Sequence, residues 1–286
     1  MARVSGADSA LERIAVAAVS GPLLSRILGH LSDLPLPRPL RVPAIWAYAR
    51  AYGVDLSEAA LPPSAYASFN AFFTRRLRAG ARPIDPASHS VVSPSDSRLS
   101  AIGPVPDHGR LEQVKGESYG IDALVGSSEG AARFRSGFSA TLYLSPAMYH
   151  RVHSPVDGEI VAWRYVPGRL FPVNAAGVRS VPGLFTRNER VAVFIESEAH
   201  GAVALVLVGA ANVGRISLAF ADLVTNRGHA AGRFEPAAKI PIRRGDEVGV
   251  FNLGSTVVLL VADPRLAPAV APGALVRVGE ALWRRA

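Results

Sequence analysis

The chain has 286 residues, a formal net charge of +8 and no cysteine, which excludes disulfides, thiolate metal sites and cysteine catalysis. A content of 49% hydrophobic and 19% charged residues excludes a disordered chain and suffices for one sizeable core or two modest domains. The basic excess is nearly all arginine, with lysine only at Lys115 and Lys239; without basic runs, zinc-finger spacing or an aromatic RNA-binding signature, it argues against nucleic acid and leaves anionic lipid or an acidic ligand.

Asp8 and Glu12 precede the first apolar stretch and no basic segment leads it, so no secretory signal is read and a cytoplasmic protein is expected. The segment Ile14–His30 is apolar but broken by Ser20-Gly21-Pro22 and charged at Arg26. It is too short and interrupted to span a bilayer, which takes ~20 apolar residues. Leu24, Ile27, Leu28 and Leu31 recur at helical spacing. Such a helix packs on the protein's own core or lies on a bilayer, and periodicity alone favours the core. A proline-rich link, Leu34 to Pro39, follows. Two more helices are expected, over Ala44–Tyr52 and Ser68–Leu77, the second with Ser68 as N-cap and Arg75, Arg76 and Arg78 near its C-terminal end.

From about Val91 the texture changes to short apolar, β-branched runs between Gly, Pro, Asn and Asp. Strands are expected at Ala140–Leu144, Gly158–Tyr165, Arg190–Glu196, Val203–Val208 and Thr256–Val261. The fold class is therefore α+β. A small helical N-terminal domain (1–85) precedes a mainly antiparallel, β-rich domain (86–286) of sandwich or barrel type.

Three clusters carry groups capable of chemistry. Ser93-Pro94-Ser95-Asp96-Ser97 is a turn holding an acid, Tyr149-His150-Arg151-Val152-His153-Ser154-Pro155 has two histidines three apart, and Leu253-Gly254-Ser255-Thr256 opens a strongly apolar strand. A turn aspartate is usually an Asx-turn acid, and the His-x-x-His pair lacks a third ligand at a familiar spacing, so no metal is expected. Together the clusters supply an acid, a base and a hydroxyl, enough to activate a nucleophile if they meet.

These motifs, in this order, resemble the phosphatidylserine decarboxylase family. The resemblance extends to Asn188-Glu189-Arg190, Phe69-Asn70-x-Phe72-Phe73-x-Arg75, Val114-Lys115-Gly116 and Val166-Pro167-Gly168-x-Leu170-Phe171-x-Val173-Asn174, over about residues 65–265. One departure stands out. The family has Pro-Ala-Asp-Gly where this chain has Pro94-Ser95-Asp96-Ser97, and a serine at 97 would be strained if a positive φ were needed there.

The resemblance implies a self-cleaving proenzyme whose cofactor is a pyruvoyl group derived from Ser255, with Gly254 as its partner across the cleaved bond. Its substrate would be phosphatidylserine, decarboxylated to phosphatidylethanolamine in phospholipid biosynthesis. By the same resemblance His153 is the base that activates Ser255, Asp96 orients it, and His150 serves the decarboxylation step. The partners implied are the phospholipid, an anionic membrane surface and the small subunit 255–286 of the chain's own cleavage; a homodimer is compatible. A lipid substrate makes Ile14–His30, Trp46, Tyr48 and Tyr52 candidate membrane contacts and a peripheral site on the cytoplasmic face of the cell membrane the expected location. The alternatives are a serine hydrolase using Asp96, His153 and Ser255 uncut, although no Gly-x-Ser-x-Gly elbow surrounds Ser255, and a non-catalytic lipid-binding relative.

Overall fold

The computed structural model describes residues 29–114, 116–211, 215–227, 229–252 and 255–285. All but the last two residues of the Ile14–His30 segment, Lys115 and the Leu253-Gly254 pair lie outside the described residues.

The helix expected from Ala44 starts earlier, at Arg38, and runs to Tyr52. Pro39 falls in its first turn, where a missing N–H is no loss. Gly53 ends it in the left-handed conformation, with its N–H on the Ala49 carbonyl. Ser68 does cap the next helix, its hydroxyl accepting from Ala71 N–H at 3.1 Å. That helix is only Phe69–Phe73, not Ser68–Leu77. The residues beyond Thr74 pair in extended form instead: Leu77 bridges Ala59, and Arg76 accepts from Ala60 N–H. Ile45, Ala49, Val54, Tyr66 and Phe72 form a small apolar cluster here, against which Ala147 of the β region packs.

The β region is built on one open nine-stranded sheet whose strands all pair antiparallel. In spatial order its strands are Gly232–Phe234, Gly158–Val166, Arg190–Ser197, Gly201–Gly209, Ser255–Val261, Phe138–Leu144, Ser97–Pro104 and Leu275–Val276, with Ile240–Ile242 also on Gly158–Val166. Every expected strand is present, extended by one to three residues. Ser255–Val261 is central and every residue in it is buried. Val257, Leu259 and Val261 face one apolar cluster, while Val258 and Leu260 face another. Burial on both faces is why this strand reads as a continuous apolar run.

Two three-stranded sheets cover the first face. One joins Ile216–Leu218, Glu247–Phe251 and Arg151–His153; the other joins Val91–Val92, Ala281–Arg285 and Leu266–Pro268. Val152, Val248, Phe251, Leu282 and Trp283 anchor them in the same cluster. The second face is covered by the Arg110–Val114/Glu117–Gly120 hairpin and by short helices that contribute Leu124, Val125, Leu184 and Phe185. The sandwich half of the expectation holds on the first face, whereas the open edges exclude a closed barrel.

Candidate active site

Ser255 heads the central strand, opposite Leu144 on one side and Gly209 on the other. Side chains alternate along a strand, so Ser255 points with Val257 toward the face covered by the sheet that carries His153. Its side chain is fully buried and its hydroxyl has no hydrogen-bond partner among the described residues. Its partner Gly209 is fixed by the Asn-Glu-Arg motif. Gly209 N–H donates to the Glu189 carbonyl at 2.9 Å, and Asn188 Nδ2 donates to the Gly209 carbonyl at 2.8 Å. The same Asn188 amide donates to the Phe171 carbonyl and accepts from Phe171 N–H. Gly168, in the same motif as Phe171, lies so near this segment that a Cβ would come within 2.5 Å of the Arg187 carbonyl oxygen. Two of the sequence motifs thus serve as scaffold for the strand beside Ser255.

His153 sits at the end of the Arg151–His153 strand. Its backbone N–H donates to the Pro94 carbonyl at 2.8 Å, which joins the histidine and aspartate clusters. Nδ1 lies 2.7 Å from the Gly245 carbonyl oxygen and Nε2 lies 3.3 Å from the Tyr149 hydroxyl, whose ring stacks on the imidazole. A carbonyl can only accept, so Nδ1 bears the proton and Nε2 carries the lone pair. Burial lowers the basicity of this ring, partly offset by the bond to Gly245 and by the charges of Glu247 and Asp96. Burial also pushes the Tyr149 hydroxyl up to about 12.

Asp96 is engaged elsewhere. Its carboxylate accepts from Arg82 Nε and Nη2 at 2.9 and 2.6 Å and from Val278 N–H at 2.9 Å. Arg82 also donates to Glu58 at 2.7 Å, and the two carboxylates hold its guanidinium above its ordinary pKa despite burial. No hydrogen bond joins Asp96 to His153, or His153 to Ser255, among the described residues. The clusters adjoin, but the triad is not assembled in this state; Asp96 acts on His153 through space. Ser97 begins a strand without a positive φ, so the serine in place of glycine brings no backbone strain.

His150 is fully buried, with Nδ1 at 2.8 Å from the Met148 carbonyl oxygen and Phe73 packed on its ring at 4.0 Å. Its Nε2 therefore also carries a lone pair, and this atom has no partner among the described residues. Burial, then the nearby Arg75 charge, lower its pKa to about 3, so it is a neutral acceptor near neutrality. The turn Ser145–Tyr149 that leads into it directly follows Leu144, the strand partner of Ser255.

Asn252, three residues before Ser255, accepts from Asn70 Nδ2 at 3.0 Å, so the helical region touches the segment leading to Ser255. Arg82, Gly245 and Asn252 escape a reading of the sequence. They stand in no chemical pattern, and only the fold brings them to the three clusters. Among the described residues no group of three or more His, Asp or Glu could hold a metal ion, and no helix is long and apolar enough to cross a membrane.

A sequence model of the phosphatidylserine decarboxylase family matches residues 69–284. The chain is 47% identical over 267 residues to the phosphatidylserine decarboxylase proenzyme of Anaeromyxobacter sp. (strain K), covering 91% of this chain and 93% of that protein. It is 46% identical over 268 residues to the proenzyme of the same name from Bordetella pertussis, covering 91% and 89%. With that of Myxococcus xanthus it shares 40% identity over 259 residues, covering 90% and 92%.

Proposed function

The chain belongs to the phosphatidylserine decarboxylase family, and we propose that it is a proenzyme that cuts itself at Gly254-Ser255 and then decarboxylates phosphatidylserine to phosphatidylethanolamine. As a member of that family it is a carboxy-lyase; the serine hydrolase reading is set aside, since the matched relatives are decarboxylase proenzymes. The observation that carries the cleavage reading is the buried Ser255 hydroxyl, unpartnered among the described residues, at the head of the central strand, on the face covered by the sheet that carries His153.

In this reading His153 Nε2 takes the proton of Ser255 as its Oγ attacks the Gly254 carbonyl, turning the amide into an ester and freeing the amine of residue 255. Asp96, buttressed by Arg82, stabilises the imidazolium through space. Elimination releases the Gly254 carboxylate, and hydrolysis with loss of ammonia leaves a ketone at 255. A pyruvoyl group there supplies a carbonyl that takes the substrate amine and draws off electrons as carbon dioxide leaves. His150, buried with its Nε2 unpartnered among the described residues, relays a proton from the substrate ammonium to the carbon that has lost its carboxylate.

The lipid substrate requires access to a membrane, and the helical region offers a surface for it. Of nine exposed large hydrophobic residues among those described, seven lie between 31 and 61: Leu31, Leu34, Leu36, Leu40, Trp46, Tyr52 and Leu61. Tyr48 does not belong with them; it packs on Phe69 and donates to the Pro146 carbonyl at 2.8 Å. Residues 1–85 are read as the membrane-associating unit and 86–286 as the catalytic unit, peripheral on the cytoplasmic face, with arginines adding ~1 kcal/mol each near anionic lipid.

Intact-mass measurement of the purified protein tests the reading. Two species are expected, the smaller starting at residue 255 and blocked to Edman sequencing. A single full-length chain that nevertheless releases carbon dioxide from phosphatidylserine overturns it.

A further inference from the structure

Two arginines of the described chain are buried, Arg75 and Arg190, each 4% exposed. Arg190 is fully employed, donating to the carbonyls of Ala123, Leu124, Thr186 and Asn188. Arg75 is not. Nη2 donates to the Ala147 carbonyl at 3.2 Å, while Nε and Nη1 are buried without a hydrogen-bond partner among the described residues. Phe72 lies 5.4 Å beneath the guanidinium, a cation–π contact that offsets only part of the desolvation. Asp96 acts on Arg75 through space alone, because Arg82 and Val278 N–H occupy its oxygens. A buried cation with spare donors and no counter-ion is strongly disfavoured unless an anion completes it.

The setting of Arg75 points to the substrate as that anion. It lies two residues beyond Phe73, whose ring packs on His150, and its hydrogen-bond acceptor Ala147 is in the turn that leads into His150. The headgroup of phosphatidylserine has two anionic groups. One, the carboxylate, loses its charge in the reaction, so a guanidinium on it would stabilise the ground state more than the transition state and slow the step. The phosphodiester keeps its charge throughout. We propose that Arg75 is the cation that receives the phosphodiester of the substrate headgroup, orienting the serine toward residue 255. The inference rests on the phosphatidylserine decarboxylase reading of the chain.

The product separates the two anionic groups, since phosphatidylethanolamine keeps the phosphate and lacks the carboxylate. The test uses soluble dihexanoyl phosphatidylserine as substrate and dihexanoyl phosphatidylethanolamine as competitive inhibitor, with wild type, Arg75→Gln and Arg75→Lys. Arg75→Gln should mature as wild type does on a gel. Its KM for the substrate and Ki for the product should rise together by ~10–100-fold, with kcat changed by less than ~5-fold. Arg75→Lys, retaining charge without the planar fork, should fall between. An unchanged Ki with reduced kcat would assign Arg75 to the carboxylate or to His150 and overturn the inference. So would an Arg75→Gln chain that stays uncut, because a group reserved for substrate has no duty before cleavage. A wild-type protein that neither splits nor decarboxylates refutes the functional reading itself, which the mutant comparison does not address.

Discussion

His153 donates its Nδ1–H to the carbonyl oxygen of Gly245 across 2.7 Å. That bond leaves the lone pair on Nε2, the state a base for Ser255 requires, and it assigns to a glycine the orienting duty that the family resemblance gives to Asp96. Gly245 has φ +91°, and a Cβ there would come within 2.7 Å of Ile84. Gly245→Ala should therefore shift the carbonyl and slow self-cleavage by ~10–100-fold. Gly126→Ala is the control: it is also left-handed, at φ +72°, and crowded, with Arg164 Cδ at 2.8 Å from a Cβ, but it caps a helix on the opposite face of the main sheet. Both variants should lose ~1 kcal/mol or more of stability, yet only Gly245→Ala should accumulate uncut chain in a time course on a gel. Equal cleavage rates in the two variants would refute the orienting role.

The two histidines should separate by stage. His153→Ala should accumulate precursor, because its proposed task ends when the chain is cut. His150→Ala should mature and then release carbon dioxide ~10²–10⁴-fold more slowly. Asp96→Ala should also mature slowly and should lose stability as well, since it leaves Arg82 half-paired beside Glu58. A gel and a decarboxylation assay on the same preparations decide the matter; an uncut His150→Ala chain would show that the stages are not separable.

The fold was legible where burial imposes a period. The strands from Ala140 to Val261 announce themselves because the main sheet is buried on both faces, which forces unbroken apolar runs such as Val257–Val261. The helical region was less so: Pro39 reads as a breaker but fits a first turn, and the Ser68 helix stops at Phe73 because Leu77 finds an extended partner in Ala59 that no local pattern reveals. At the site, Asp96, His150, His153 and Ser255 have side chains that name their chemistry. Arg82 and the Gly245 carbonyl do not, since a basic residue after a turn and a glycine in a turn between strands carry no chemical signature, and their contacts cross sequence separations of 14 and 92 residues.

Membrane binding should depend on the exposed apolar surface of the helical region. Leu40 and Trp46 are 64% and 54% exposed and contribute little to the fold. The double variant Leu40→Ser/Trp46→Ser should leave the melting temperature within ~2 °C of wild type while lowering partition onto anionic vesicles by ~10–100-fold. Sedimentation with vesicles containing phosphatidylserine measures it, and undiminished binding would remove this surface from the membrane contact.

Acid stability offers the last prediction, because His150 is buried in its neutral form. Its pKa in the folded chain is lowered to about 3 from 6.5, chiefly by burial and then by the Arg75 charge. Below pH 6.5 the unfolded chain takes up a proton at this residue and the folded chain does not, so stability falls with pH until about 3. The loss attributable to His150 alone is roughly 2–3 kcal/mol by pH 4.5, at 1.36 kcal/mol per pKa unit. Carboxylates also titrate in this window, so the measurement must be a difference. In a Ser255→Ala background, which keeps the chain whole, urea midpoints of His150 and His150→Leu proteins should be compared at pH 7 and pH 4.5. Whatever its stability at pH 7, the leucine variant should decline with acid more shallowly, by about that amount. Parallel declines would mean that His150 takes up its proton in the folded chain as readily as in the unfolded one, and its burial as the neutral form would be refuted.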